Sequence, residues 1–513
     1  MSARTGTVGS AVLWSGGGGM AMRLGQLLIG IAVARIMTPY DFGVFAVTLA
    51  VYALIVNVSE VGIGSALIRS RGSIDRLAPT AVTLSMASSA VLGTAMWFAA
   101  PLVASLMRTP DAAEAIQVMS LVVVMAGVSS VPLALITRNF RQDRKFIADA
   151  ASFVVGNSLL IVFALSGMGV MAFAWSRVAA QIVTVILLLI LTPERYLPGF
   201  RVVAARTLFR FGAPFVAANL VGYGVGNVDA IVIGRILGAV PLGSYTLANN
   251  VAGWPLGMFT SVLTSVGLPV LSRISHSAEM LRGYLSNAMS MLGGVFFYMT
   301  AMCAALAQPL VDALYGPKWA AAGSVLAVLA VYGSTRVLLA LFSDALIACN
   351  RPRSLLIVQF AWLIALIPGM TAGALIGGLV GAAVAQVVIS LLVPLPLSLL
   401  LLRLASGVRV LPILKMGLLP LLAASLSGAA AHAVALAWPN PWLALIFGGS
   451  VGTLVYGALM FRLLARTRTE VKSLYGGGVT HFTPTKDSSQ SSPSPSPSPS
   501  PSSLNEEAHE DKE

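Results

Sequence analysis

The feature that most limits the fold of this chain is a series of apolar stretches of about 20 residues, the helix length that crosses a bilayer core. By this criterion there are about fourteen, at 11–36, 43–66, 78–106, 113–136, 147–167, 169–191, 208–236, 242–270, 286–313, 321–347, 354–376, 378–402, 413–437 and 442–464. Apolar residues make up 57% of the chain and charged residues 10%, which excludes an ordinary soluble domain. Because a backbone in lipid must satisfy its own hydrogen bonds, the sequence predicts an all-α polytopic membrane protein.

Lysine and arginine concentrate in every second connection between these stretches. They follow the even-numbered stretches, whereas the intervening connections hold little besides Arg108 and Lys318. Because cytoplasmic loops are enriched in Lys and Arg, this alternation predicts an even number of crossings with both termini in the cytoplasm. The formal net charge of +13 is then a topology signal, and we predict no nucleic-acid partner.

One pattern occurs twice in the chain. Arg, Ile, Gly and an aromatic residue occupy identical offsets in segments 34–45 and 234–245, whose arginines are Arg35 and Arg235. Both arginines lie at the outer ends of apolar stretches, from which their side chains can reach water. Internal repeats are typical of transporters built from two similar halves with a substrate site between them. The repeat therefore makes translocation the leading hypothesis.

The repeat also predicts how the chain is divided. Residues 1–200 and 201–405 are predicted to form two pseudo-symmetric lobes of about six helices each, and residues 406–466 an accessory helix pair. Residues 467–513 contain three consecutive glycines, a Ser-Pro alternation and an acidic end. Such a segment cannot bury enough apolar surface to fold, so we predict a disordered cytoplasmic tail.

The sequence lacks the residue patterns of an enzyme or a metalloprotein. It has no carboxylate pair, Ser/His/Asp set, nucleotide-binding loop or metal-ligand cluster at a usable spacing. Cys303 and Cys349 fall within or at the end of apolar stretches and form no metal-binding pattern. We predict no catalytic site, no metal and no cofactor.

Basic residues at bilayer depth are the leading candidates for a substrate site, because charges there are costly and mark pathways or pairs. Arg23 lies near the middle of the first stretch, with Gln26 one turn further on. Arg177 lies in the sixth stretch and Arg336 near the middle of the tenth. A guanidinium group binds phosphate through two parallel hydrogen bonds, so these residues are candidate ligands for an anionic head group. The alternative for each is a structural pair.

Acidic and amide residues form a second candidate set, for a polar cavity or for coupling. Asp229 shares its stretch with Asn219 and Asn227, and Glu60 has Asn57 one turn away. Either carboxylate could pair with a cavity arginine, carry a coupling proton or bind a cation, and pairing is the preferred interpretation.

Two sets of residues resemble a known family. The first is Ala34-Arg35-Ile36 with Asp41-Phe42-Gly43-Val44-Phe45, and the second runs from Asn227-Val228-Asp229 through Gly234-Arg235 to Leu242-Gly243-Ser244-Tyr245-Thr246-Leu247-Ala248. They resemble the polysaccharide exporters of the MATE-like (MOP) superfamily, which include Wzx-type O-antigen flippases and exopolysaccharide and teichuronic acid exporters.

The resemblance implies a V-shaped, two-lobe transporter of the bacterial cytoplasmic membrane. Its substrate would be an undecaprenyl-diphosphate-linked oligosaccharide, moved to the outer leaflet by alternating access, with cavity arginines meeting the diphosphate. Arg23 falls where related lipid II flippases carry a first-helix arginine, while a further arginine of theirs corresponds to Ile29 here. Polysaccharide polymerase and chain-length proteins are the implied partners.

Two other functions stay open at this point. A drug or cation antiporter of the same fold should have an acid-rich cavity, whereas the charges at mid-depth here are mainly basic. A membrane polymerase or ligase acting on the same glycans is disfavoured by short external connections and by the two-half repeat.

Overall fold

The structure is a computed structural model that describes residues 8–59, 63–69, 74–194, 196–262 and 268–475. Every regular element in this part of the chain is a helix. The α-helices are α1 (Val8–Ile36), α2 (Pro39–Ser59), α3 (Ile63–Arg69), α4 (Ile74–Leu106), α5 (Ala112–Arg138), α6 (Gln142–Leu165), α7 (Val170–Leu191), α8 (Val202–Leu237), α9 (Ala239–Val262), α10 (Leu268–Ile274), α11 (Ala278–Ala305), α12 (Ala307–Leu314), α13 (Ala320–Ala348), α14 (Pro352–Leu392), α15 (Pro394–Ser406), α16 (Val410–Ala435) and α17 (Pro441–Tyr475). A 3-10 turn, Pro317–Trp319, joins α12 to α13.

Eleven helical stretches among the described residues are long and apolar enough to cross a membrane. One of them, Arg353–Ser406, has 54 residues and contains both α14 and α15. A helix of this length would measure about 80 Å, whereas a bilayer core is about 30 Å thick, so this stretch holds more than one crossing. The all-α polytopic fold is confirmed, and the number of fourteen crossings stays a prediction.

One predicted stretch, 286–313, runs past the end of a helix. Helix α11 ends at Ala305, because Leu306 leaves helical geometry with φ −105° and ψ 16°. The break at Leu306 lies inside a continuing apolar run, where hydropathy carries no information about backbone direction. The predicted stretches 43–66 and 242–270 include residues 60–62 and 263–267, which lie outside the described residues, so their ends stay predictions.

The predicted boundary between the eleventh and twelfth stretches is confirmed inside α14. Helical geometry is interrupted at Gly377 and Gly378, and Gly378 has φ 57° and ψ −138°, a conformation that is essentially restricted to glycine. A second interruption at Val393 divides the predicted stretch 378–402, which is therefore wrong as one helix. Pro394 begins α15 there, and a proline at the first position of a helix leaves no amide hydrogen unpaired.

The connection between α7 and α8 is held against the start of α4. Tyr196 donates a hydrogen bond from its hydroxyl to Asp75 Oδ1 at 2.7 Å, and the amide of Gly199 donates to the Pro79 carbonyl at 3.2 Å. The amide of Arg201 donates to Thr80 Oγ1 at 3.1 Å. This segment therefore has a defined position beside α4 before α8 begins at Val202.

Residues from both halves of the chain form one apolar core. Val44 of α2, Ile233 of α8, Leu242 of α9 and Trp319 are all fully buried in the same hydrophobic cluster. The chain separates into two compact units, Met1–Met460 and Phe461–Glu513. The lobe boundaries at residues 200 and 405 stay predictions, and residues 476–513 of the predicted tail lie outside the described residues.

Candidate functional site

Arg23 and Gln26 share one exposed face of α1. Both side chains are exposed, and at about 100° per residue they lie about 60° apart around the helix axis. The exposed apolar residues Leu24 and Leu28, which are 48% and 65% accessible, lie about 100–140° from Arg23. Gly25 faces the ring of Phe153 on α6. Helix α1 thus has separate polar and apolar exposed faces, and the polar one carries both predicted residues.

Arg177 of α7 is exposed on the side opposite the apolar exposed stripe of that helix. The stripe consists of Trp175, Ile182 and Ile186, which are 40–50% accessible, and Arg177 is about 160° from its centre. Gln181 lies one turn away and donates a hydrogen bond from Nε2 to Ser129 Oγ of α5 at 3.2 Å. A stripe of accessible apolar residues is expected to face lipid. Arg177, on the opposite side of α7, is therefore expected to face away from lipid.

Arg336 of α13 has different surroundings, because it lies in a polar cluster within the second half of the chain. Its Cζ atom is 5.7 Å from the ring centroid of Tyr332. Its Nη1 atom is 4.0 Å from the position that a Cβ atom on Gly253 would occupy. Asp229 of α8 attracts the Arg336 charge, although no ion pair within 4.0 Å joins these two described residues. Arg336 and Asp229 are therefore electrostatic neighbours without direct contact.

The same cluster contains three residues that sequence reasoning missed. Tyr245 of α9 and Tyr332 are 1% and 8% accessible, and both interact with the charges of Asp229 and Arg336. Gln386 of α14 lies beside the Tyr332 hydroxyl, and its buried Oε1 atom has no hydrogen-bond partner among the described residues. Tyr245 belongs to the repeat pattern, in which the equivalent residue is Phe45. The hydroxyl group that Phe45 lacks is the sequence signal that could have indicated a polar role for Tyr245.

The predicted amides make local hydrogen bonds. Asn57 Nδ2 donates to the Ala53 carbonyl at 2.6 Å, and Asn227 Nδ2 donates to the Tyr223 carbonyl at 2.8 Å. Each bond joins residues four positions apart in one helix, so neither amide contacts Asp229 through these bonds. Glu60 and the side chain of Asn219 lie outside the described residues.

The two repeat arginines bind carbonyl oxygens rather than only reaching water. Arg35 donates from Nε to the Leu314 carbonyl at 2.7 Å and from Nη2 to the Ala313 carbonyl at 2.5 Å. Arg235 donates from Nη1 to the Leu106 carbonyl. Sequence reasoning missed the partners of both arginines, because they are more than a hundred residues away along the chain.

Comparisons with known proteins agree with this architecture. A family model described as polysaccharide biosynthesis protein matches residues 32–324. The teichuronic acid biosynthesis protein TuaB of Bacillus subtilis (strain 168) is 24% identical over 296 residues, which are 57% of this chain and 61% of that protein. The lipopolysaccharide biosynthesis protein WzxC of Escherichia coli (strain K12) is 26% identical over 306 residues, 59% of this chain and 62% of that protein. The succinoglycan biosynthesis transport protein ExoT of Rhizobium meliloti (strain 1021) is 27% identical over 305 residues, 58% and 60% respectively. The matched part of the chain spans about three fifths of the length of these relatives.

Solved structures show the same fold. The lipid II flippase MurJ, in an inward closed conformation, aligns with a TM-score of 0.72 at 14% identity, over 89% of this chain and 99% of that one. An inward-facing multidrug resistance transporter of the MATE family aligns with a TM-score of 0.58 at 18% identity, over 75% and 96%. The helices thus have the fold of these two transporters, and the family model covers more than half of the sequence. This chain belongs to the polysaccharide biosynthesis protein family.

Proposed function

We propose that the protein is a flippase that moves an undecaprenyl-diphosphate-linked oligosaccharide from the cytoplasmic to the outer leaflet for surface polysaccharide assembly. The family membership supports this proposal, as do relatives named for teichuronic acid, lipopolysaccharide and succinoglycan biosynthesis. The MurJ-like arrangement of helices is compatible with transport of a large lipid-linked substrate. The site would open alternately to the two sides of the membrane as the two halves move.

The observation that carries the proposal is the position of Arg23 and Arg177. Both are exposed, and each lies away from the apolar exposed face of its own helix; the hydropathy pattern predicts that both lie at bilayer depth. An arginine in this position requires water, a counter-charge or a ligand, and a diphosphate satisfies it through charge-assisted hydrogen bonds. We assign Arg23, Arg177 and Gln26 to diphosphate binding.

Arg336 contributes to the same substrate in a different way. Asp229 is a counter-charge to it and the Tyr332 ring lies beside it, so we assign it to the positive field of the cavity rather than to direct binding. Asp229 is its partner, and Asn227, Asn219, Asn57 and Glu60 complete the polar lining or take part in coupling.

These charges also bear on the alternative functions. A cation antiporter would present accessible carboxylates to its substrate, but the accessible mid-depth charges named above are guanidinium groups. We therefore assign anionic lipid transport and no catalytic step. The protein would lie in the bacterial cytoplasmic membrane with both termini in the cytoplasm, upstream of polysaccharide polymerase and chain-length proteins.

The test is the fate of the lipid-linked glycan in cells that lack the gene. We expect full-length lipid-linked units to accumulate in the cytoplasmic leaflet, where an impermeant glycosidase added to spheroplasts cannot cut them. The wild-type gene should restore export, and the variant with Arg23→Ala and Arg177→Ala should not, at comparable abundance. Arg108→Ala, which removes a charge outside this site, is the matched control. Accumulation of unpolymerised units outside the membrane would contradict flipping and indicate a polymerase.

A further inference from the structure

The two copies of the repeat meet at one end of the molecule, and they meet reciprocally. A Cβ atom on Gly43 of α2 would lie 1.8 Å from the carbonyl oxygen of Ala239, the first residue of α9. A Cβ atom on Gly243 of α9 would lie 1.8 Å from the carbonyl oxygen of Pro39, the first residue of α2. The first turns of the two helices are therefore in backbone contact, and each glycine is required by the other half of the chain.

The arginines of the repeat make contacts that are reciprocal in the same way, because each one binds the other half of the chain. Arg35, in the first half, donates to the carbonyls of Ala313 and Leu314, the last two residues of α12 in the second half. Arg235, in the second half, donates to the carbonyl of Leu106, the last residue of α4 in the first half. The last carbonyls of a helix have no partner within the helix and carry partial negative charge. Each half thus caps a helix of the other half with a cation.

A third set of bonds connects the turn before α13 to the end of α1. Lys318 Nζ donates to the carbonyls of Arg35 at 2.8 Å and Met37 at 2.7 Å. Trp319, which is fully buried, donates from Nε1 to the Ala34 carbonyl at 2.9 Å. Its ring also contacts Phe42 edge-on, with 5.0 Å between centroids. The end of α1 is therefore capped almost entirely by the second half.

The geometry points to a latch that closes the extracytoplasmic end of the substrate pathway. We call Gly43, Gly243, Arg35, Arg235, Lys318 and Trp319 the outer latch. Its location on the external side follows from the predicted topology, and its role in transport rests on the proposed function. The halves cannot separate at this end without breaking these bonds, so release of the substrate to the outer leaflet requires the latch to open.

The chemistry of the latch makes this opening reversible. Its polar bonds join the cations of Arg35, Arg235 and Lys318, and the neutral indole N–H of Trp319, to carbonyls at helix ends. Water can replace either partner when the end opens, so the net cost of breaking each bond is small. Packing between Gly43 and Gly243 sets the closed position, because any larger side chain would hold the two backbones apart. The repeated motif thus serves closure of one end of the pathway rather than recognition of the glycan.

The test measures the access of a labelling reagent to Met37, whose carbonyl accepts a hydrogen bond from Lys318 of the latch. The reporter is Met37→Cys, whose native side chain is 3% accessible, in a background with Cys303→Ala and Cys349→Ala. Spheroplasts are treated with a membrane-impermeant maleimide. We expect the pair Arg35→Gln with Arg235→Gln, and separately Gly43→Ala, to raise the labelling rate at least ten-fold over the reporter background.

Matched controls separate opening from other effects. Arg108→Gln removes an external charge without removing a cap, and Gly457→Ala adds a methyl group where no atom lies within 4 Å; neither should change labelling. A second reporter, Ala444→Cys, is buried at 1% outside the latch, close to Asn440 on the predicted external side, and should stay unlabelled. The latch would be overturned if latch and control variants were labelled at equal rates, or if labelling occurred only in inverted vesicles. An equal increase in labelling rate at both reporters would also overturn it. The readout needs no substrate, so it stands or fails separately from the flipping assay.

Discussion

Three arginines that the sequence predicts at bilayer depth have three different surroundings, and these surroundings distinguish their proposed roles. Arg23 is exposed beside Gln26, Arg177 is exposed opposite an apolar stripe, and Arg336 lies beside Tyr332 with Asp229 as a counter-charge. A charge without a partner in the membrane is expensive. The first two therefore have the larger free-energy gain available from an anionic ligand.

Replacing Arg23 with Ala is expected to reduce flipping at least ten-fold at near-normal protein abundance. Hydrogen bonds to charged groups contribute about 1.5–3 kcal/mol each, so the loss of one such bond to phosphate accounts for a reduction of this size. Arg23→Lys should restore activity only in part, because lysine lacks the planar bidentate group. Flipping is measured in proteoliposomes containing the purified lipid-linked glycan. Leu24→Ala is the control, and full activity of Arg23→Ala would disprove the role.

Replacing Asp229 with Asn is expected to lower the amount of folded protein. The substitution leaves Arg336 without its counter-charge, and we expect a cost of roughly 1–3 kcal/mol, below that of breaking a buried pair in direct contact. Adding Arg336→Gln should recover part of the loss, since it removes the uncompensated charge. Thermal unfolding of purified protein measures both variants, with Asn227→Ala as control. Normal stability combined with loss of ion-dependent transport would instead make Asp229 a coupling site.

At the scale of single elements, helix breaks divide apolar runs that hydropathy alone would join. Within α14 the break falls on two adjacent glycines, and only Gly378 has a positive φ, of 57°. The next break, at Val393, coincides with a proline that starts a new helix. Glycine permits the first break and proline favours the second, so both could be predicted from the sequence more easily than the break at Leu306.

Gly378→Ala should destabilise the protein while Gly377→Ala should not. At both positions a Cβ atom would meet nothing within 4 Å, so the two substitutions differ in backbone strain and not in packing. A non-glycine residue in the Gly378 conformation costs about 1–3 kcal/mol, whereas Gly377 has φ −121°, which alanine adopts. Thermal unfolding of the two variants in the same detergent checks the difference. Equal midpoints would show that α14 is continuous in solution.

At the scale of the whole molecule, topology is the property that the charge pattern predicts most directly. We expect single cysteines at Asp111, Gly167 and Asn440 to react with an impermeant maleimide from outside, and those at Arg71, Arg141 and Ser498 only after permeabilisation. The Lys and Arg of alternate connections determine this orientation. Labelling in cells lacking the native cysteines is the measurement. Reversal at any one position would change the number of crossings before it from odd to even or from even to odd, and would overturn the predicted topology.

Much of the helical framework could be predicted from the sequence because lipid imposes one solution on the backbone. Helices α4, α5, α7 and α13 begin and end within a few residues of the predicted stretches. The helix end at Ala305 could not be predicted, since apolar residues continue on both sides of it. The choice of Arg23, Arg177, Arg336 and Asp229 as site residues also came from depth in the membrane alone, and their roles stay predictions.

The sequence by itself determined the fold class, the repeat and the positions of the membrane charges, because these follow from length, hydropathy and residue spacing. Only the tertiary structure decided which groups meet. Arg35 and Arg235 looked like side chains that reach water, but they cap helices of the opposite half. Tyr245 and Tyr332 looked like helix residues, but both interact with the Asp229 and Arg336 charges, and Gln386 lies beside the Tyr332 hydroxyl. Such contacts join residues far apart in the chain, and local sequence carries no information about distances that depend on how helices pack.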